Sequence, residues 1–196
     1  MQAIETKRDS FGVEPLTLSE LKTALGVTGS DHDSYLTYLK ESAREFCEVE
    51  GNVGLVRQTV TAWLPEMVGW YQLPFAPIVS ITSVKSYYLG TYQATLAYED
   101  DYFVVGDRIQ FIAPVQSYQV EVVYEAGYYT APVGTTTTTT QATAPEYTAA
   151  AQVCPKLAKV AIERLVRDWY DNPETIGTLG RDAKQLIRKF GRRDWL

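Results

Sequence analysis

Histidine is almost missing from this chain: His32 is the only one in 196 residues. Any Ser-His or Cys-His nucleophile would have to work through it. It lies in "GSDHDSY", which reads as a solvated helix start. Cysteine is scarce too, with Cys47 and Cys154 far apart in helical contexts. Two thiols cannot make a four-ligand zinc site, and in a chain made in a reducing compartment they read as buried free thiols rather than a disulfide. No apolar run approaches membrane-spanning length. The start, "MQAIETKRDSFG", lacks the apolar segment of a secretory signal. These two absences predict synthesis in the cytoplasm and no membrane partner.

Catalytic signatures are absent as well. There is no phosphate loop, no G-x-G-x-x-G, no H-E-x-x-H and no nucleophile elbow. The carboxylates Glu99, Asp100 and Asp101 are the best candidates for a cation or for acid/base work. They fall in a turn with no histidine nearby, so the reading is a solvated cluster. Asp168 and Asp171 flank Trp169–Tyr170 but have no evident base or nucleophile to work with. The chain is therefore expected not to be an enzyme, with no catalytic residue, cofactor or metal ligand assigned.

What is present is enough apolar material for one sizeable core, at 45% hydrophobic residues. The net charge of −6 is unevenly spread. The last sixteen residues, "RDAKQLIRKFGRRDWL", hold six basic and two acidic residues, so everything before them is strongly acidic. Acidity of the body argues against general nucleic-acid coating. The basic end suggests an interaction tail or a solvated helix face.

"LTLSELKTALGV" predicts a first helix. Thr17 and Glu20 have capping-box spacing, Leu18, Leu21 and Leu25 recur at helical intervals, and Gly26 stops it. "SDHDSYLTYLKESAREFCEVEG" predicts a second, with Leu36, Leu39, Ala43 and Phe46 as its apolar stripe. Lys40, Glu41, Arg44, Glu45 and Glu48 are mostly off that stripe. The period then changes to two. "VRQTVTAWL" places Val56, Val60, Ala62 and Leu64 on one face, and "YQVEVVYEAGYY" does so with Val120, Val122 and Tyr124. "IVSITSVKSYYL" is rich in β-branched and aromatic residues. "DYFVVGDRIQFIA" reads as a hairpin in which Gly106–Asp107 is a type II′ turn followed by Arg108. Most of the 14 tyrosines read as half-buried sheet packing. Next, "APVGTTTTTTQATAPEYTAAAQ" is of low complexity; the tract Thr135–Thr140 is a loop or an arm that orders against a neighbour. "CPKLAKVAIERLVRDWYDN" predicts a third helix with Pro155 at its first position and a stripe of Ala158, Ala161, Ile162, Leu165 and Trp169, broken at Asn172–Pro173. "RDAKQLIRKFG" predicts a last helix carrying Ala183, Leu186, Ile187 and Phe190 on one side.

The order is thus helix, helix, strands, loop, helix, helix. The economical fold is α+β: a small helical bundle formed by both chain ends, with a β-sheet subdomain inserted between the second and third helices. Its core is expected to hold Leu21, Leu36, Leu39, Phe46, Ile162, Leu165, Trp169 and Leu186. The expected boundaries are 1–52 for the first half of the bundle, 53–130 for the β subdomain, 131–152 for the Thr-rich segment and 153–196 for the second half and tail.

Five segments, in this order, resemble one known family: "EPLTLSELKTALGV", "HDSYLTYLKESAREFCEVEGN", "VRQTVTAWLPE" with "LPFAPIVSITSVKSYY", "VEVVYEAGY", and "KLAKVAIERLVRDWYDNPE". The pattern is similar to the head–tail connector (adaptor) proteins of tailed bacteriophages, in the branch with a β insertion. The likeness spans most of residues 14–175. It departs at 131–152, where the family has a shorter link, and the tail is not matched residue by residue. The resemblance implies a virion structural protein, made in the host cytoplasm and placed in the neck. There it would form a homo-oligomeric ring, usually twelvefold, under the portal protein. Such a ring extends the DNA channel, lets DNA pass without specific binding, and gives a stopper or tail protein its docking surface. On this resemblance Arg188, Lys189, Arg192, Arg193, Trp195 and Leu196 are expected to dock on the portal. Gly106, Asp107 and Arg108 are expected to contact a neighbour or the tail side. Other readings are a different neck component, a stopper or tail-completion protein, and more remotely a tyrosine-lined carbohydrate-binding β module.

Overall fold

The computed structural model describes residues 5–10, 13–65, 69–112, 119–128, 147–148 and 153–191. They form two compact units, one of strands and one of helices.

The helical unit spans 14–55 and 153–196, so both halves of the chain contribute to it. Helix α1 (Leu18–Leu25) begins with the capping box read from the sequence: the Glu20 amide donates to Thr17 Oγ1 at 3.2 Å, and the Thr17 amide donates to Glu20 Oε2 at 2.8 Å. Gly26 ends it in the left-handed conformation, φ 71°. Helix α2 (Asp33–Gly51) and helix α3 (Lys156–Asp171) bury their stripes together, and helix α4 (Arg181–Phe190) packs on α3 and α2. Leu21, Leu36, Leu39, Ile162, Leu165 and Trp169 are buried. Phe46 and Leu186 are half-buried, with the Phe46 ring edge-on to Trp169 at 5.8 Å between centroids. Trp169 Nε1–H donates to the Thr178 carbonyl at 3.2 Å, which ties the segment after α3 back onto it. Asn172 closes α3 and Pro173–Thr175 form one turn of 3₁₀ helix. Pro155 is the N-cap of α3 rather than its first helical residue, its extended backbone at φ −61°, ψ 137° leading the chain in.

The strand unit holds residues up to 13 and 56–152. Its larger sheet runs β1 (Glu5–Ser10), β2 (Gln58–Leu64), β8 (Gln119–Ala126), β4 (Ile78–Tyr88), β5 (Thr91–Thr95); β9 (Tyr147–Thr148) adds to β4 at Ser80–Ile81. Every pairing is antiparallel. A second sheet, β3 (Trp70–Gln72), β7 (Arg108–Phe111), β6 (Tyr102–Val105), is also antiparallel. The two sheets share one core: Val60, Ala62 and Leu64 of β2 and Val120, Val122 and Tyr124 of β8 meet Tyr71, Tyr102, Ile109 and Phe111 of the smaller sheet. Alternation read from the sequence holds along β2 and β8. The Tyr124 hydroxyl donates to the Pro74 carbonyl at 2.8 Å, so the last tyrosine of "VEVVY" fastens the "LPFAP" loop. Gly127 follows at φ 104°, where a Cβ would lie 1.9 Å from the Val56 carbonyl oxygen; only glycine lets the two backbones pass.

Two features depart from the sequence expectation. Residues 5–10 are not part of the helical half; they pair with β2 along six residues, Glu5 opposite Trp63 through Ser10 opposite Gln58. On α2, Lys40, Arg44 and Glu48 are not solvated but 8%, 5% and 0% exposed. They step by four residues and form a second row facing the protein.

Candidate interaction surfaces

Two of the buried charges on α2, Arg44 and Glu48, satisfy each other, which gives them a structural role. Arg44 Nη1 meets Glu48 Oε2 at 2.7 Å, and its Nε meets Glu14 Oε1 at 2.9 Å. Glu48 Oε1 accepts the Leu55 amide at 2.7 Å, so one carboxylate ties α2 to the chain leaving it. Burial pushes the Glu14 carboxyl above its ordinary range, against the opposing pull of Arg44 and Lys40. The same burial pushes the Cys47 thiol to about 12 and Cys154 to about 11, so neither free thiol is a nucleophile at neutral pH.

The other sequence candidates for chemistry are held in local contacts. His32 is the N-cap residue of α2 and presents its ring edge-on to Tyr170, 5.8 Å between centroids. Asp101 Oδ2 accepts the Ala97 amide at 2.8 Å, closing the turn that contains Glu99 and Asp100. Among the described residues no group of three His, Cys, Asp or Glu could hold a metal ion, and no helix is long and apolar enough to cross a membrane.

The surfaces are more informative. On α4 the faces are cleanly split: Ala183 and Ile187 are buried, while Arg181, Lys184, Arg188 and Lys189 are exposed. The two cations of the last turn favour the helix C-terminus, so Arg188 and Lys189 support the helix as well as forming a basic face. The helix end is fixed by a glycine pair. A Cβ on Gly191 would lie 2.9 Å from Gly51 Cα and 2.8 Å from the Ile187 carbonyl oxygen. The end of α4 therefore sits against the end of α2, which sets where the tail departs. Arg192, Arg193, Trp195 and Leu196 lie outside the described residues, as does Thr135–Thr140.

The turn Gly106–Asp107 joins β6 to β7, with Val105 opposite Arg108. Gly106 takes φ 64° and Asp107 does not have a positive φ, which fits type II′ and not type I′. The Asp107 carbonyl accepts the Leu73 amide at 2.9 Å, holding the turn to the end of β3. Gly106 and Arg108 are exposed. The register puts Trp70, Gln110 and Phe103 on one rung, and Gln72, Arg108 and Val105 on the other rung of the same outward face. Trp70 is 43% and Val105 57% exposed, with the Trp70 and Phe103 rings perpendicular at 5.5 Å. Sequence reasoning picked the turn but missed this aromatic face. The signal was there in "YFVVGDRIQF": Tyr102, Val104, Ile109 and Phe111 fill the inward phase, leaving Phe103 and Val105 outward.

No family model matches the chain, and no curated protein matches it. Among solved structures it is similar, over 97% of its length and 97% of theirs, to a chain from the neck of an empty gene transfer agent (GTA) particle computed with C6 symmetry (TM-score 0.66, 17% identity) and to one from the neck of a native GTA particle computed with C12 symmetry (TM-score 0.63, 16% identity). A chain from the virion of a native gene transfer agent particle matches over 94% of both chains, with TM-score 0.64 and 16% identity. At this identity the likeness establishes a fold shared along the whole chain.

Proposed function

We propose that this protein is a structural component of a phage-like virion neck, a head–tail connector (adaptor) that forms a ring, twelvefold in the simplest case, beneath the portal. The observation that carries the reading is the fold shared over nearly the full length with chains from particle necks. Both helical ends and both sheets are included in that match, so it is not a likeness of one common module. Necks computed with C12 and C6 symmetry hold equivalent copies around an axis, and a closed ring of that kind is built from heterologous head-to-tail contacts.

In this reading the ring extends the DNA channel. The acidic body suits a wall that DNA slides past, because attraction to phosphates would retain it. Arg188 and Lys189, with Arg192, Arg193, Trp195 and Leu196 beyond them, dock on the portal protein: the charges steer and the final Trp–Leu anchors. The Gly106–Arg108 turn and the Trp70–Phe103 face beside it meet a stopper or tail protein, since exposed aromatics on a rigid sheet make good contact anchors. The Thr135–Thr140 tract is an arm that orders in the ring. A chain cut after Phe190 should lose its ability to join purified portal in co-sedimentation while keeping its helical circular-dichroism signal. Normal joining by the cut chain refutes the docking assignment. Entry into particles only after another ring is in place identifies a stopper or tail-completion protein instead.

A further inference from the structure

The larger sheet ends in two unlike edges. At one, β5 (Thr91–Thr95, "TYQAT") has every residue exposed and carries no charge and no proline. Native sheets guard their edges with charges, prolines or very short strands because an open edge pairs with whatever strand arrives. These five neutral, exposed residues leave the edge without charge or proline; among the described residues its guard is a bulge at Gln93, whose side-chain amide donates to the Thr91 carbonyl at 3.0 Å. At the other, β1 (Glu5–Ser10, "ETKRDS") is dense in charge.

The hairpin leading into β5 carries a second, independent sign. Tyr88 pairs with Thr91, so Leu89 and Gly90 form a two-residue turn, with φ 46° and 77°. Both are positive, the signature of a type I′ turn, whose first position strongly prefers Asn, Asp or Gly. Leucine there is strained and is 80% exposed, so it contributes nothing to the core in return. Tyr88 and Tyr92 beside it are 41% and 52% exposed. A strained apolar residue at an exposed tip is explained by a contact made outside the chain.

We infer that β5 and its Leu89 tip pair with the β1 edge of a second copy of this chain, joining neighbouring sheets around the ring. The inference rests on the ring reading above. The choice of occupant follows from charge. Antiparallel self-pairing of β1 opposes residues of the same face, so centred on Lys7 it sets Lys7 against Lys7 and Glu5 against Asp9, like charges directly opposed. β5 brings no charge to that edge, so the β1–β5 pair is free of this repulsion. It is also the only pairing of the two edges that is head-to-tail and can therefore propagate around a ring; β5 with β5 is isologous and stops at a dimer. The two strands match in length, at five and six residues.

The test uses the full chain carrying Thr6→Cys and Gln93→Cys, assembled with portal and treated with a short bismaleimide. Cys47 and Cys154 are buried and serve as the background control. The expected result is a denaturing-gel ladder climbing from dimer to higher multiples. Each single variant alone should give no ladder, and a mixture of the two singles should give dimer only. Rings seen by electron microscopy without a ladder overturn the edge pairing and leave the ring reading intact. Dimers from Gln93→Cys alone mean β5–β5 pairing and overturn it too. Absence of any ring overturns the ring reading itself. As a variant that cannot fail for lack of folding, Leu89→Asn suits the turn better and should raise thermal stability slightly. It should weaken ring assembly about tenfold; assembly equal to wild type overturns the role given to the tip.

Discussion

Replacing Arg44 by Met tests whether the buried charges on α2 hold the helical unit together. Arg44 is 5% exposed and meets Glu48, 0% exposed, at 2.7 Å and Glu14 at 2.9 Å. Methionine fills much of the same space but removes the guanidinium from both Glu48 and Glu14, while the Leu55 amide still donates to Glu48. Breaking a buried pair by removing one partner costs about 3–5 kcal/mol, chiefly because a charge stays buried and uncompensated. Against a typical total of about 5–15 kcal/mol, that is a large share. At about 2–4 °C per kcal/mol for a chain of this size, the midpoint should fall by roughly 10 °C. Urea unfolding followed by far-UV circular dichroism measures the free-energy cost, and a thermal melt measures the midpoint. The companion Arg44→Met/Glu48→Gln removes both charges yet keeps an amide oxygen for Leu55 N–H, so it should recover part of the loss. A cost below about 1 kcal/mol for Arg44→Met would refute the reasoning, because it is what a solvent-screened surface pair would give.

Three further outcomes follow from named contacts. Gly127→Ala places a Cβ 1.9 Å from the Val56 carbonyl oxygen at φ 104°, and should cost about 3 kcal/mol or more in denaturant unfolding; a neutral result would mean that the crossing of β8 with residue 56 is not held. Gln58 is 0% exposed and both its amide atoms lack a partner among the described residues, so Gln58→Met should stabilise the fold by about 1–2 kcal/mol, and destabilisation would show that the amide has an employed contact. For Glu14 the folded carboxyl lies above its ordinary 4.5. Its stabilising contribution is fully present below 4.5 and is lost as pH rises through the folded value. Unfolding free energy measured from pH 4 to pH 7 should therefore fall less steeply in Glu14→Gln than in wild type; an unchanged slope would contradict the burial of this group.

Much of this was legible because local chemistry and the fold agree. Thr17 and Glu20 cap α1, Gly26 stops it, Gly106 turns the β6–β7 hairpin, and the stripes of α2 and α3 meet. What was not legible has physical causes. Charge usually marks solvent, so the row Lys40–Arg44–Glu48 reads as an outer face; its burial depends on Glu14 and Leu55, thirty residues before Arg44 and seven after Glu48. "ETKRDS" has no apolar face and becomes a strand only because β2 offers a backbone edge to pair with. Leu89 carries no turn signal, since leucine is a poor choice there; its positive φ is visible only in three dimensions. For the candidate surfaces the balance differs. The basic α4 face is readable from composition, whereas the Trp70–Phe103 contact needs the register of three strands.

As a ring component, this chain should seat on a portal. Electron microscopy of the purified protein mixed with portal vertices tests this most directly. The expected result is an added ring coaxial with the portal, with one symmetric set of copies and a DNA-wide channel continuous with it. Portal particles that stay bare at every protein concentration, with this chain found instead at another place in the virion or outside it, would contradict it.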